Sequence, residues 1–155
     1  LYIFIYMLNP QSYFNNTKKR GKTRKKTNKE SVIKLTDSFI TAVTKSNSAK
    51  QTRKLFCEKG VLIGTFSRIT RRNKNKDNIE KYFEYFTSIE GIKVISKKYD
   101  IQKIKDNIYL NQATINWKWN AIKKPVIARM TFIIKGNCIY LLHSSSMPTV
   151  NDKVK

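Results

Sequence analysis

From Ser31 onward, apolar residues recur at a helical period. Val32, Leu35, Phe39 and Val43 fall on one side, joined by Ile33 and Ile40, which predicts an amphipathic helix. Thr27 and Glu30 have capping-box spacing, so that helix is expected to begin near Asn28. Ser48 and Gln51 repeat the signature ahead of Leu55 and Phe56, predicting a short second helix that Gly60 ends. Val61 to Phe66 is an apolar run of strand length. Asp77 is expected to cap a third helix, whose Ile79, Tyr82, Phe83 and Phe86 form one stripe and read as core.

After Gly91 the period becomes two. Strands are predicted over 92–104, 107–119, 125–135 and 138–146, separated by Asp106-Asn107, Lys123 to Pro125, and Gly136-Asn137. Tyr109, Ala113, Ile115, Trp117 and Trp119 share one face of the second of these strands. Val126, Ala128, Met130, Phe132 and Ile134 share a face of the third, with Ile127, Arg129, Thr131 and Ile133 opposite. Both faces are largely apolar, so helices are expected over one and another sheet or subunit over the other. The order predicts an α+β fold with a mostly antiparallel meander. No Gly-rich phosphate loop, Walker lysine motif or GxSxG elbow is present.

Composition narrows the classes. With 155 residues, 40% hydrophobic and 12% aromatic, the chain has material for one core and is too apolar to be disordered throughout. Cys57 and Cys138 stand 81 positions apart without a CxxC or partner histidines, which excludes a zinc finger and a disulfide-dense scaffold. One disulfide stays open, but two free thiols in a reducing compartment is the favoured reading. His143 is the only histidine, which removes a His-based metal site and a two-histidine mechanism; no metal and no cofactor is expected. The apolar opening, Leu1 to Leu8, is too short for a membrane span, which needs about 20 residues. The sequence opens on Leu1, so either Met7 is the initiator or the chain is a fragment; residues 1–6 receive no function. The expected location is intracellular, cytoplasmic or nuclear, not secreted and not membrane-bound.

A formal charge of +22 then changes the list of partners, because attraction to polyanions is its physical consequence. Lys, Ile and Asn, with AT-rich codons, supply 58 residues, so genomic drift accounts for some of that charge. Two clusters are more specific. Lys18, Lys19, Arg20, Lys22, Arg24, Lys25, Lys26 and Lys29 place eight cations in twelve positions without an apolar residue among them. Arg68, Arg71 and Arg72 begin a second group in an Asn-rich loop or hairpin. Both are candidate polyanion contacts, nucleic acid included. Residues 1–30 therefore read as a disordered basic tail, 31–149 as one domain and 150–155 as a short tail.

The element order, together with Ala128 to Ile133 (ARMTFI) and Leu141 to Pro148 (LLHSSSMP), resembles the nuclear transport factor 2-like superfamily. More narrowly, it is similar to the SnoaL-like branch related to the association domain of calcium/calmodulin-dependent protein kinase II. That branch carries an Arg in the penultimate strand, matched by Arg129. It ends its last strand in a His-rich stretch, small residues and Pro, matched by His143, Ser144, Ser145 and Pro148; Leu142 stands where many members have a second His. Ile139 or Tyr140 occupies the place of the family's usual aromatic. Leu62 to Thr65 and Ile79 to Phe83 resemble the first-strand and third-helix segments. The resemblance covers residues 31–149. It implies a sheet curled into a cone (the cystatin-like fold), helices closing a pocket, and dimerisation through the sheet or assembly into rings.

On that frame the candidate ligand pocket comprises Arg129, His143, Trp117, Trp119, Tyr82 and Ser145. Arg129 is the anchor, since a guanidinium between Ile127 and Ile133 needs an anionic partner if buried. The expected ligand is small, anionic or apolar. The leading function is a non-enzymatic ligand-binding or oligomeric assembly module with a basic arm. An isomerase of the SnoaL or ketosteroid type is the rival, and needs a carboxylate base in the cone. Asp37, Glu80, Glu84, Asp100 and Asp106 are the acids to examine, and no catalytic residue is assigned. A nucleic-acid-associated protein is the second rival.

Overall fold

In the computed structural model, the residues described are 27–45, 48–65, 70–73 and 77–146. The assignments made for Lys18 to Lys26 and for Arg68 lie outside them, as does the end of the run that reaches Phe66. The described chain runs α1 (Lys29–Thr44), α2 (Ala49–Lys54), β1 (Phe56–Ile63), β2 (Thr70–Arg72) and α3 (Asp77–Thr87). Four long strands follow: β3 (Lys93–Lys105), β4 (Ile108–Lys118), β5 (Val126–Lys135) and β6 (Cys138–Ser146). They form one curled sheet in the order β2-β1-β6-β5-β4-β3, antiparallel except where β1 lies parallel to β6.

α1 starts where the sequence suggested, but with a different box. Asn28 accepts from the Ser31 amide at 2.8 Å, and the Ser31 hydroxyl accepts from the Asn28 amide at 2.9 Å. Such a cap is worth about 1 kcal/mol. Thr27 is not part of it. It is buried, its hydroxyl donating to the Gly136 carbonyl at 3.0 Å, so the folded domain begins at least four residues before Ser31.

α2 also starts as expected, with Ser48 accepting from the Gln51 amide at 3.2 Å. Its end differs: it stops at Lys54, and β1 starts at once, taking in residues expected to continue the helix. Gly60 is a strand residue. Phe56 pairs with Ile139 and Val61 with Leu141, so β1 bulges between them. A Cβ on Gly60 would come within 2.9 Å of both the Cys57 and Ile139 carbonyls, so the bulge requires glycine there.

The bulge is strapped. Asn73 donates its side-chain amide to the Cys57 carbonyl (2.8 Å) and its backbone amide to the Gly60 carbonyl (2.8 Å). Cys57 and Cys138, expected to be free thiols, form a disulfide with Cα atoms 5.0 Å apart. The physical reason is tertiary: β1 and β6 meet at Phe56 and Ile139, where the pairing is irregular, and spacing in sequence does not encode which distant strands become neighbours.

One face of the sheet carries the core. Ile115, Trp117, Phe132, Ile134, Ile139 and Leu142 are buried there under the helices. Phe39 of α1 stands edge-on to Phe83 of α3 (5.6 Å) and to Phe132 of β5 (5.5 Å), joining both helices to the sheet through one ring. The opposite face is not covered by a helix among the described residues.

Candidate functional site

The two faces separate residues that the sequence placed in one pocket. On the helix side, a cavity is walled by Phe39, Leu62, Phe83, Phe86, Met130 and Leu142, with Tyr82, Trp117 and Trp119. It leaves about 40 Å³ in which the centre of a water-sized molecule can sit. That is far below the roughly 300–1,000 Å³ of ordinary small-molecule sites. Its lining includes several hydroxyl side chains. Thr65 and Ser144 share a hydrogen bond of 2.7 Å, and Ser146 and Tyr82 also line it. Trp117 and Phe86 meet edge-on at 5.9 Å. Trp117, Trp119 and Tyr82 are thus brought together, joined by Met130, Phe86 and the Thr65–Ser144 pair, which the sequence reading did not select. Their signal was parity: Met130 alternates with Ala128 and Phe132 on the apolar side of its strand.

Arg129, His143 and Ser145 lie on the other face, and this corrects the single-pocket grouping. Cross-strand pairing aligns Lys98, Thr114, Arg129 and Ser145 in one row and Asp100, Gln112, Thr131 and His143 in the next. Arg129, His143 and Ser145 are exposed. The rows edge an open groove of about 350 Å³, which the cavity does not share. The physical reason lies partly in β6, whose pairing shifts between Ile133 and Ile134. Tyr140 is the extra residue, so Ile139 faces in while Leu141, His143 and Ser145 face out.

The acids are placed as clearly. No carboxylate lines the cavity among the described residues. Glu80 pairs with Arg53 at 3.2 Å, Asp106 with Lys103 at 2.8 Å, Glu84 is exposed, and Asp100 is on the outer face. Asp37 of α1 accepts from the Tyr99 hydroxyl and the Lys97 ammonium, both of β3. Burial first, then the hydrogen bond to Asp37 and that carboxylate's charge, hold the Tyr99 phenol well above its ordinary value of 10.0. Its folded value being raised, the stability it contributes is complete below about pH 10 and declines as pH climbs through the folded value. In an alkaline absorbance titration of the eight tyrosines, Tyr99→Phe should therefore leave the tyrosinate signal unchanged up to about pH 11. An equal loss of signal at pH 10 would show that Tyr99 titrates normally.

Of the described basic residues, Lys29 opens α1 and Arg72 is exposed on β2. Arg71 is a different case. It pairs with buried Leu62, is half-buried, and its guanidinium carbon lies 5.8 Å from the Tyr82 ring centre, so it packs behind the cavity wall rather than offering a free cation.

Solved structures share this architecture. A candidate calcium/calmodulin-dependent protein kinase II association domain from Xanthomonas campestris superposes with a TM-score of 0.63 at 28% identity, over 77% of this chain and 87% of that one. A dehydratase candidate of the NTF2-like family from Streptomyces avermitilis superposes at 0.64 with 10% identity, over 76% and 94%.

The fold is nuclear transport factor 2-like.

A cystatin-like domain from Nostoc punctiforme adds the same fold at 0.63 and 16% identity, over 78% of each chain. No protein-family model and no curated protein sequence matches the chain. No described helix is long and apolar enough to cross a membrane.

Proposed function

We propose that the chain is a non-enzymatic assembly module that dimerises through the outer face of its sheet. The observation that carries this reading is the character of that face. Ile127, Ile133, Leu110, Leu141 and Ile63 lie only partly covered around the polar rows of Arg129 and His143, with no described helix over them. A partly apolar sheet face can meet a second copy of itself about a two-fold axis, with the charges at its centre satisfied where Arg129 and Lys98 meet the Asp100 of a partner. The likeness to a candidate association domain supports the same reading. The cavity then acts chiefly as core, with room for an uncharged ligand of a few heavy atoms. An isomerase-type reaction has less support, since no described carboxylate reaches the cavity to take a proton.

Light scattering on the eluting peak tests the assembly. The wild-type chain is expected at twice its 18.2 kDa or a higher multiple. Ile127→Glu with Ile133→Glu should shift it to a folded monomer, by burying like charge in the contact. A monomeric wild-type protein at 100 μM (roughly the range where weak dimers form) would overturn the proposal.

A further inference from the structure

The two outermost strands of the sheet differ. β2, on one side, is three residues long and offers little backbone to a partner. β3, on the other, runs for 13 residues, and one of its edges pairs with no described strand. Its register against β4 slips twice. Ile95 is the extra residue between Val94 and Ser96, and Ile104 the extra residue between Lys103 and Lys105. Bulges and lysines commonly blunt an exposed edge against aggregation. Here both bulges fall near the ends, so Ser96 to Lys103 stays regular and leaves about 27 Å of open backbone donors and acceptors.

On the helix side, α1 runs beside this stretch. The Tyr99 hydroxyl and the Lys97 ammonium both donate to Asp37, tying α1 to the edge strand. The helix runs opposite to the strand, since Thr27 before α1 meets Asn107 after β3. Ile33, one turn back from Asp37, therefore stands level with Ile101, two residues on from Tyr99, each step being about 6 Å. Ile101 is half-buried and Ile33 is 38% exposed, so an apolar strip accompanies the open backbone.

The charges of β3 sort by face. Lys97 and Lys103 lie on the helix side, opposite Ile115 and Tyr109, and are paired with Asp37 and Asp106. Lys93, Lys98 and Lys105 lie on the outer side, opposite Lys118, Thr114 and Ile108, and form no ion pair among the described residues. Asp100 is the one acid of the strand and shares that outer side.

We propose that the β3 edge accepts an extended peptide from a partner protein, in which acidic and apolar residues alternate, as a seventh strand. Its backbone pairs with Ser96 to Lys103, its apolar side chains cover Ile101 and Ile33, and its acids meet the outer lysines. Period-two alternation in the peptide matches a strand edge that is apolar on one side and cationic on the other. A second copy of the same edge would set those lysines against their own equivalents, so charge favours a different, acidic occupant.

The probe is a labelled synthetic peptide of alternating Glu and Val, about ten residues long, enough to span the open stretch. Its binding to the full chain is read by fluorescence anisotropy, with thermal melts showing that each variant is folded. Bound peptide should slow amide exchange in Ser96 to Lys103 and leave Thr70 to Arg72 unchanged. Lys93→Glu with Lys105→Glu should weaken binding roughly fivefold or more, by turning two exposed attractions into repulsions. Lys50→Glu with Lys81→Glu, the same charge change on α2 and α3, should weaken it much less. Absent binding, or protection confined to residues outside 96–103, would overturn the proposal. Equal binding of a block peptide, all Glu followed by all Val, would reduce the effect to charge alone and overturn strand addition. Slow exchange at 96–103 in the free chain that is lost on dilution would assign the edge to a second copy instead.

Discussion

Replacing Cys57 and Cys138 with serine, or reducing their disulfide, lowers the free energy of unfolding by about 2–5 kcal/mol. The bridge closes a loop of 81 residues, and the loss of denatured-chain entropy across a loop of that size corresponds to about 4.5 kcal/mol. In a chain of this length the loss should appear as a melting temperature lower by roughly 4–20 °C. The structural reason for an effect near the upper end is the thinness of the β1–β6 junction. The two strands pair at Phe56 and again at Val61 to Ile63, and the disulfide and Asn73 hold the bulge between. Leu62, part of the cavity wall, sits directly after that bulge. Urea denaturation with and without dithiothreitol measures the effect, and coincident midpoints would show that the bridge contributes nothing.

Trp117→Ala should cost about 3–5 kcal/mol, the range for deleting a large buried aromatic. Trp117 is 3% exposed, pairs edge-on with Phe86 and forms a wall of the apolar cavity. The deletion also creates space. The existing hollow admits little, but joined to the volume of an indole ring it becomes large enough for one, and a dry apolar cavity of that kind binds aromatic molecules. Added indole is therefore expected to raise the melting temperature of the variant and leave that of the wild type unchanged. The size of the rise follows ligand linkage and grows with indole concentration. A variant as stable as wild type would mean that Trp117 is not part of the core. An indole-insensitive variant would mean that the space collapses on truncation.

Much of this molecule is legible along the chain. Four long strands fall within one or two residues of the period-two segments, because side chains alternating between a buried and an open face must alternate in polarity. The α3 stripe of Ile79, Tyr82 and Phe83 is buried for the equivalent reason at period 3.6. Asn28 shows the limit of local signals: both it and Thr27 carry capping oxygens, and only the burial of Thr27 against Gly136 decides between them.

The site was less legible, and Arg129 shows why. Alternation puts it opposite Met130 and Phe132, but pairing across the long β4–β5 connection decides which face Trp117 shares. Trp117 opposite Val126 puts the tryptophan with Ala128 and Met130, and so away from Arg129. His143 was displaced by a single inserted residue. Without the bulge at Tyr140, Ile139 and His143 would share a face; with it, one is core and the other surface. Local spacing cannot register an insertion whose only trace is a change in partner.

By itself, then, the sequence determined the elements, their order, the apolar face of each and the excess of positive charge, all of which depend on neighbours a few residues apart. The tertiary structure decided which apolar face the helices would cover, that Cys57 would meet Cys138, that no described acid would reach the cavity, and that Thr27 would be buried against Gly136 rather than cap α1. Each of those depends on the register of strands distant in sequence, where one residue of slip exchanges inside for outside.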